Sequence, residues 1–181
     1  ITVLLTVYNG MPFLPEAVES ILAQTRRDFV FLVVNNGSGD SSGMYLSSLT
    51  DPRLKIVHLE ETLPRTEVLN KALEMVETPL TAVIDADDLA EPERLEAQAG
   101  FLESRPDVAL VGCNVRYVDP QGAILGSDEF PEDHAALTAR MPLFNQFAHA
   151  GCMYRTKAAL AVGGYPRTSP YAQDQALWLA L

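Results

Sequence analysis

Basic residues are scarce in this sequence. Across 181 residues, 13 Lys and Arg stand against 24 Asp and Glu, a formal charge of −11. A chain this acidic lacks the positive footprint that nonspecific nucleic-acid binding needs, and it lacks a basic patch for anionic lipid. A phosphorylated ligand would need a metal to bridge the like charges. Cysteine is scarcer still. Cys113 and Cys152 could close only one bridge, which excludes a disulfide scaffold, and their spacing matches no zinc knuckle. Both read as buried thiols of a reducing compartment. No signal peptide is recognisable at the start. No run of 18 apolar residues occurs, so no membrane-spanning helix is expected within the chain. The loop after the first apolar run has no Lys or Arg, and no P-loop or glycine-triplet dinucleotide fingerprint occurs.

What is present is ordinary for one compact domain. The hydrophobic fraction is 48%, with 12 prolines and 11 glycines and no repeat or low-complexity tract. The chain starts at Ile1 rather than Met and stops at Leu181 inside a helical pattern, so it reads as a trimmed piece. Short β-branched runs alternate with helical periods. Ile1–Val7, Phe29–Val34, Leu54–Leu59 and Leu80–Ile84 read as strands. Pro12–Ala23, Met44–Leu49, Thr66–Val76 and Pro92–Leu102 read as the helices between them. Near-continuous apolar strands are covered on both faces, so the pattern predicts an α/β fold with a mostly parallel central sheet flanked by helices. Ligands bind such folds at the carboxyl ends of the strands. Val108–Val118 reads as a strand with a return through Ala123–Leu125, and Pro131–Arg140 as a short helix. Gly151–Arg155 reads as a strand, with Thr156 capping a helix closed by Gly163-Gly164, and Ala172–Leu181 as a last helix.

Three segments carry candidate chemistry. Asp85-Ala86-Asp87-Asp88 follows an apolar strand. Carboxylates this close repel, and a divalent cation such as Mg²⁺ or Mn²⁺ relieves the repulsion. If strand geometry persists, Asp85 and Asp87 share a face; the plainer alternative is a solvated turn in which Asp88 or a neighbour caps the next helix. Asn35-Asn36-Gly37-Ser38-Gly39-Asp40 ends another strand and suits a base or ribose pocket, or equally an ordinary turn. Asp174, near the start of the final helix, is a cap or a general base facing the cleft. Trp178 reads as core, and His149 as a hydrogen-bonded structural histidine; His58 and His134 have no assigned role.

The blocks Thr6-Val7-Tyr8-Asn9, Val33 to Asp40, Ile84 to Leu95, His149 to Arg155, Gly163-Gly164-Tyr165 and Gln173 to Leu179 come in one order along nearly the whole chain. Together they resemble family 2 glycosyltransferases, which have the GT-A fold. The resemblance implies a single catalytic domain over 1–181, truncated at the C-terminus. It implies inverting, metal-dependent transfer of a sugar from a nucleotide-diphosphate donor, a UDP-sugar by preference, to a saccharide or lipid-linked acceptor in cell-envelope polysaccharide synthesis. Carried over residue by residue, Asp85 and Asp87, with Asp88 beside them, match the metal and diphosphate motif. Thr6, Tyr8, Asn35 and Asn36 match the nucleoside region, and Asp174 matches the general base. The implied place is the cytoplasm, at the inner face of the membrane, with membrane association only through segments outside this chain.

The sequence departs from the family at several positions. Asn35-Asn36 stands where at least one Asp is usual, Gln173 where Glu often precedes the base, and Thr62 and Pro64 where the loop before the third helix usually has Asn and Gly. These departures leave a catalytically weak nucleotide-sugar-binding or protein-interaction module as the alternative. A nucleotidyltransferase is a weaker one, since Tyr8-Asn9-Gly10-Met11-Pro12 offers no basic, glycine-rich loop.

Overall fold

The computed structural model describes residues 1–168 and 172–181, so Tyr171, just ahead of the last helix, lies outside the described residues. The first hundred residues alternate as expected: β1 (Thr2–Val7), α1 (Leu14–Leu22), β2 (Val30–Asn35), α2 (Ser42–Ser48), β3 (Leu54–His58), α3 (Arg65–Glu74), β4 (Leu80–Val83) and α4 (Arg94–Ser104). There follow β5 (Leu110–Val111), β6 (Val115–Val118), β7 (Ile124–Asp128), α5 (His134–Arg140), a 3-10 turn over His149–Gly151, β8 (Met153–Arg155), α6 (Thr156–Ala161) and α7 (Gln173–Ala180).

One sheet runs in the order β3-β2-β1-β4-β8-β5. Its first four strands are parallel; β8 joins β4 antiparallel, and β5 joins β8 antiparallel. Strand alternation splits the core between two faces. Val3, Leu5 and Val7 of β1 pack with Leu14, Val18 and Ile21 of α1 and Leu95, Ala99 and Leu102 of α4. Leu4 of the same strand packs on the opposite face with Leu69 and Leu73 of α3, Tyr154, Tyr165 and Trp178. Both faces of β1 are therefore apolar, which is why its sequence shows no polar alternation. Full burial of each Leu, Ile or Val here is worth about 1.5–3 kcal/mol.

Several readings need correction. Val108–Val118 is not one strand. The chain leaves the sheet after β5 at Gly112, where an added Cβ would come 2.6 Å from the Phe147 ring, and β6 and β7 then form a separate hairpin. Thr156 does not cap α6. It is the first helical residue after Arg155, and its hydroxyl is 2.9 Å from that of Thr81 instead. Gly163 and Gly164 do close that helix, at φ of +89° and +74°, conformations that cost glycine least. Both cysteines are free, but only Cys152 is buried; Cys113 is half-buried. Among the described residues no helix is long and apolar enough to cross a membrane.

Candidate functional site

Because β1, β2 and β4 are parallel, the loops after them leave along one edge of the sheet. The first two loops are sewn together. Asn9, with φ of +54°, accepts on Oδ1 from the Gly39 and Asp40 amides at 2.8 and 3.3 Å, while its own amide donates to Ser38 Oγ at 2.9 Å. The Gly10 amide donates to Ser42 Oγ, and Asp40 accepts from the Met11 and Ser42 amides. The Ser42 hydroxyl is the largest cause holding the Asp40 carboxyl below its usual range. Sequence reasoning missed this stitch, because its members are short polar residues 29–32 positions apart. Tyr8, between the sewn segments, is 56% exposed, and Thr6 is half-buried opposite Val34.

The two asparagines are buried and already engaged. Asn36 clasps the backbone of Leu63: Nδ2 donates to its carbonyl and Oδ1 accepts from its amide, both at 2.9 Å. This side-chain pairing fixes the loop before α3, where Thr62 and Pro64 replace the usual residues. Asn35 Nδ2 donates to His58 Nδ1 at 3.1 Å, and Asn35 Oδ1 accepts from the Ser38 amide at 3.2 Å. Each amide keeps part of its bonding capacity, but both hold the loops before they hold any ligand.

The acidic segment follows β4, which stops at Val83. Strand alternation therefore does not reach Asp87; the segment is a turn, in which the Asp88 amide donates to the Asp85 carbonyl at 3.3 Å. The helix-cap alternative fails too, since α4 has Glu93 at its N-cap and no side-chain cap bond. The three carboxylates differ in surroundings. Asp87 and Asp88 are exposed. The Asp88 carboxyl is pushed up to about 6, first by loss of water around it and then by the charges of Asp85 and Asp87. The Asp85 side chain is 26% exposed and held from two directions. Arg65 Nη2 lies 3.1 and 3.3 Å from its two oxygens, and His149 Nδ1 lies 3.5 Å from Oδ1. Burial works to raise the Asp85 carboxyl, but these neighbours together hold it below its usual value.

Arg65 and His149 were not singled out as functional from sequence. A signal existed for Arg65, a cation in the first turn of a helix, the end where the dipole disfavours it. His149 is bonded, as expected, with Nε2 3.1 Å from the Tyr165 hydroxyl. Its Nδ1, however, is buried without a hydrogen-bond partner and faces Asp85. Its ring stacks on Trp178, with centroids 6.2 Å apart. Trp178 is core, as expected, at 5% exposure.

Trp178 belongs to α7, and so does Asp174 one turn earlier. The residue at the helix N-cap is Ala172, with no side-chain bond, so Asp174 is not a cap. Asp174 Oδ2 accepts from Asn145 Nδ2 at 2.8 Å, a partner the sequence gave no signal for. Gln173, in the position of the missing Glu, is buried. The helix with Asp174 and the turn with Asp85 thus lie on either side of one imidazole.

Among the described residues no three His, Cys, Asp or Glu side chains converge into a ready-made metal cage. The donor set still suits Mg²⁺ or Mn²⁺, which are held by one or two carboxylates with substrate phosphates completing the shell. Two hard carboxylates, Asp87 and Asp88, lie open to solvent beside Asp85.

A mostly parallel sheet with helices on both faces and an acidic turn at its strand ends fits the GT-A fold, which solved glycosyltransferases share. The family model for glycosyl transferase family 2 matches residues 2–162, and the chain belongs to that family. It is 28% identical to an uncharacterized glycosyltransferase of Methanocaldococcus jannaschii, over 99% of this chain and 63% of that protein. It is 29% identical to the O-antigen biosynthesis glycosyltransferase WbnJ of Escherichia coli, over 100% of this chain and 71% of the relative. Among solved structures, S. aureus TarS 1-349 in complex with UDP-GlcNAc superimposes with a TM-score of 0.80 at 18% identity, over 99% of this chain and 52% of that one. A Pyrobaculum calidifontis mannosyltransferase in complex with GDP-Man and Mn²⁺ gives 0.74 at 23% identity, over 97% and 50%. The chain therefore spans about half the length of these structural relatives.

Proposed function

We propose that this chain transfers a sugar from a nucleotide-diphosphate donor, a UDP-sugar first among the candidates, to a saccharide or lipid-linked acceptor, with inversion at the anomeric carbon. The observation that carries the reading is the placement of His149 between Asp85, 3.5 Å from its Nδ1, and Trp178 of α7, the helix that carries Asp174. In this reading the donor carboxylate and the candidate base belong to one site. Asp85, Asp87 and Asp88 would hold Mg²⁺ or Mn²⁺, and Thr6, Tyr8, Asn35 and Asn36 would line the nucleoside side. When bound, the cation stabilises the charge that develops on the departing nucleoside diphosphate. Asp174, held by Asn145, takes the proton of the acceptor hydroxyl as that oxygen bonds to the anomeric carbon and the carbon–phosphate-oxygen bond breaks. The relatives named for O-antigen synthesis and solved with UDP-GlcNAc or with GDP-Man and Mn²⁺ support an activated-sugar donor and a cell-envelope acceptor. The same reading puts the reaction in the cytoplasm, at the inner face of the membrane.

The experiment is calorimetric titration of UDP, GDP and dTDP, each with and without Mn²⁺, into the wild type and Asp87→Ala. Metal-dependent binding of one nucleotide, lost in the variant, supports the site and selects the donor base. A folded chain that binds none favours the second reading, a module that has given up the donor. One observation speaks for that reading: the Asn35 and Asn36 amides are already committed within the chain.

A further inference from the structure

His149 carries more structure than a packing histidine needs. Its side chain is 8% exposed, and every neighbour described above restricts it. The Tyr165 hydroxyl sits on Nε2 at 3.1 Å, and the Tyr154 hydroxyl lies 3.4 Å beyond that. The Tyr165 and Trp178 rings flank the imidazole at centroid distances of 5.7 and 6.2 Å. Tyr165 is itself fixed by Asn70, whose amide donates to the Tyr165 carbonyl and accepts from its N–H, both at 2.8 Å. What remains is Nδ1, buried, without a hydrogen-bond partner and 3.5 Å from Asp85 Oδ1. A buried N–H left unpaired is costly, so the ring is built to serve a partner that comes closer than it does here. Arg65 accounts for the distance: from its 56%-exposed position it holds both Asp85 oxygens. A dication on Asp85 would repel Arg65 and take over its charge, whereas the imidazole, packed in the core, can stay.

We infer that His149 is a positioning residue for Asp85: with Nε2 accepting from Tyr165, it donates from Nδ1 to Oδ1 and so holds the carboxylate that would bind the cation. The inference rests on the proposed donor site and concerns the placement of the ring and the nitrogen it presents to Asp85. Outer partners that orient a metal-binding side chain are worth about 10–100-fold in metal affinity.

Two substitutions separate this role from packing. Asn places its amide near the position of Nδ1, and Gln places its amide near Nε2. The readout is Mn²⁺ affinity in the presence of UDP, by calorimetry and by the electron paramagnetic resonance signal of free Mn²⁺, on protein shown to be folded. His149→Asn is expected to bind within about threefold of wild type, and His149→Gln about 10–100-fold more weakly. Tyr165→Phe keeps the ring in the core and frees the tautomer, and is expected to weaken binding severalfold. Equal losses in the Asn and Gln variants, or wild-type affinity in Gln, overturn the assignment, as does an unchanged Tyr165→Phe. If wild type shows no Mn²⁺-dependent UDP binding, the donor-site reading itself fails and takes this assignment with it. Wild-type binding that Asp87→Ala abolishes keeps that reading whatever the His149 variants do.

Discussion

Arg65 Nη2 spans the carboxylate of Asp85, 3.1 Å from one oxygen and 3.3 Å from the other. The two residues come from different elements, the first turn of α3 and the turn after β4. Under the proposed function Arg65 competes with any cation that Asp85 would hold. Arg65→Gln is therefore expected to raise affinity for Mn²⁺ alone by about two- to fivefold, the worth of an exposed ion pair. The gain should shrink in high salt. Lower Mn²⁺ affinity in the variant would show that Arg65 assists the cation rather than replacing it.

Asp88 gives the site a pH dependence. Its carboxyl is pushed up to about 6, so it holds a proton below that pH and loses it above. Cation binding needs the ionised form, so Mn²⁺ affinity is expected to fall about tenfold per pH unit below about 6 and to level off above 7. A pH series of Mn²⁺ titrations measures this.

The same shift has the opposite consequence for folding without metal. A folded value above the unfolded one, about 3.9, means stability present at low pH and lost as pH rises through 6. After solvent screening of this exposed turn, about 1 kcal/mol is at stake. Asp88→Asn should melt about 2–4 °C above wild type at pH 8 and together with it at pH 4. Thermal melts at both values, with metal chelated, decide it.

Asp174→Asn removes the proposed base without changing its shape. Turnover is expected to drop about 10²–10⁴-fold while UDP affinity is unchanged. Asn145→Ala, which takes away the 2.8 Å hydrogen bond to Oδ2, should lower turnover about 10–100-fold, in line with the 1.5–3 kcal/mol of a hydrogen bond to a charged group. If donor binding falls in parallel in either variant, the residue belongs to the donor side instead.

Asn36→Asp puts a carboxylate against the Leu63 carbonyl that Asn36 now donates to. Two acceptors would face each other in a buried site. The variant is expected to lose about 1–3 kcal/mol in urea unfolding. An Asp variant as stable as wild type would mean that the clasp on Leu63 is dispensable.

Most of the fold could be read from the chain. The runs Thr2–Val7 and Val30–Asn35 are apolar on both faces because helices cover both, and that pattern survives in sequence. The acidic turn was legible because three carboxylates cluster in four positions. What could not be read was long-range pairing of ordinary polar residues. Asn145 with Asp174, Asn36 with Leu63 and His149 with Asp85 are joined by the folded backbone, not by spacing. The second half misled for a related reason: at Gly112 the chain leaves the sheet beside a ring 35 residues further on, a contact no local pattern announces.

The clasp of Asn70 on Tyr165 links residues 95 positions apart. During synthesis Asn70 emerges long before its partner, and α3 then exposes a polar amide and an apolar face with nothing to cover them. β4 likewise waits for β8, whose Arg155 pairs with Leu80. Without β8 the parallel half of the sheet keeps an open edge, and without Tyr165 and Trp178 the face of α3 keeps an uncovered core, so residues after 152 close what the first hundred leave open.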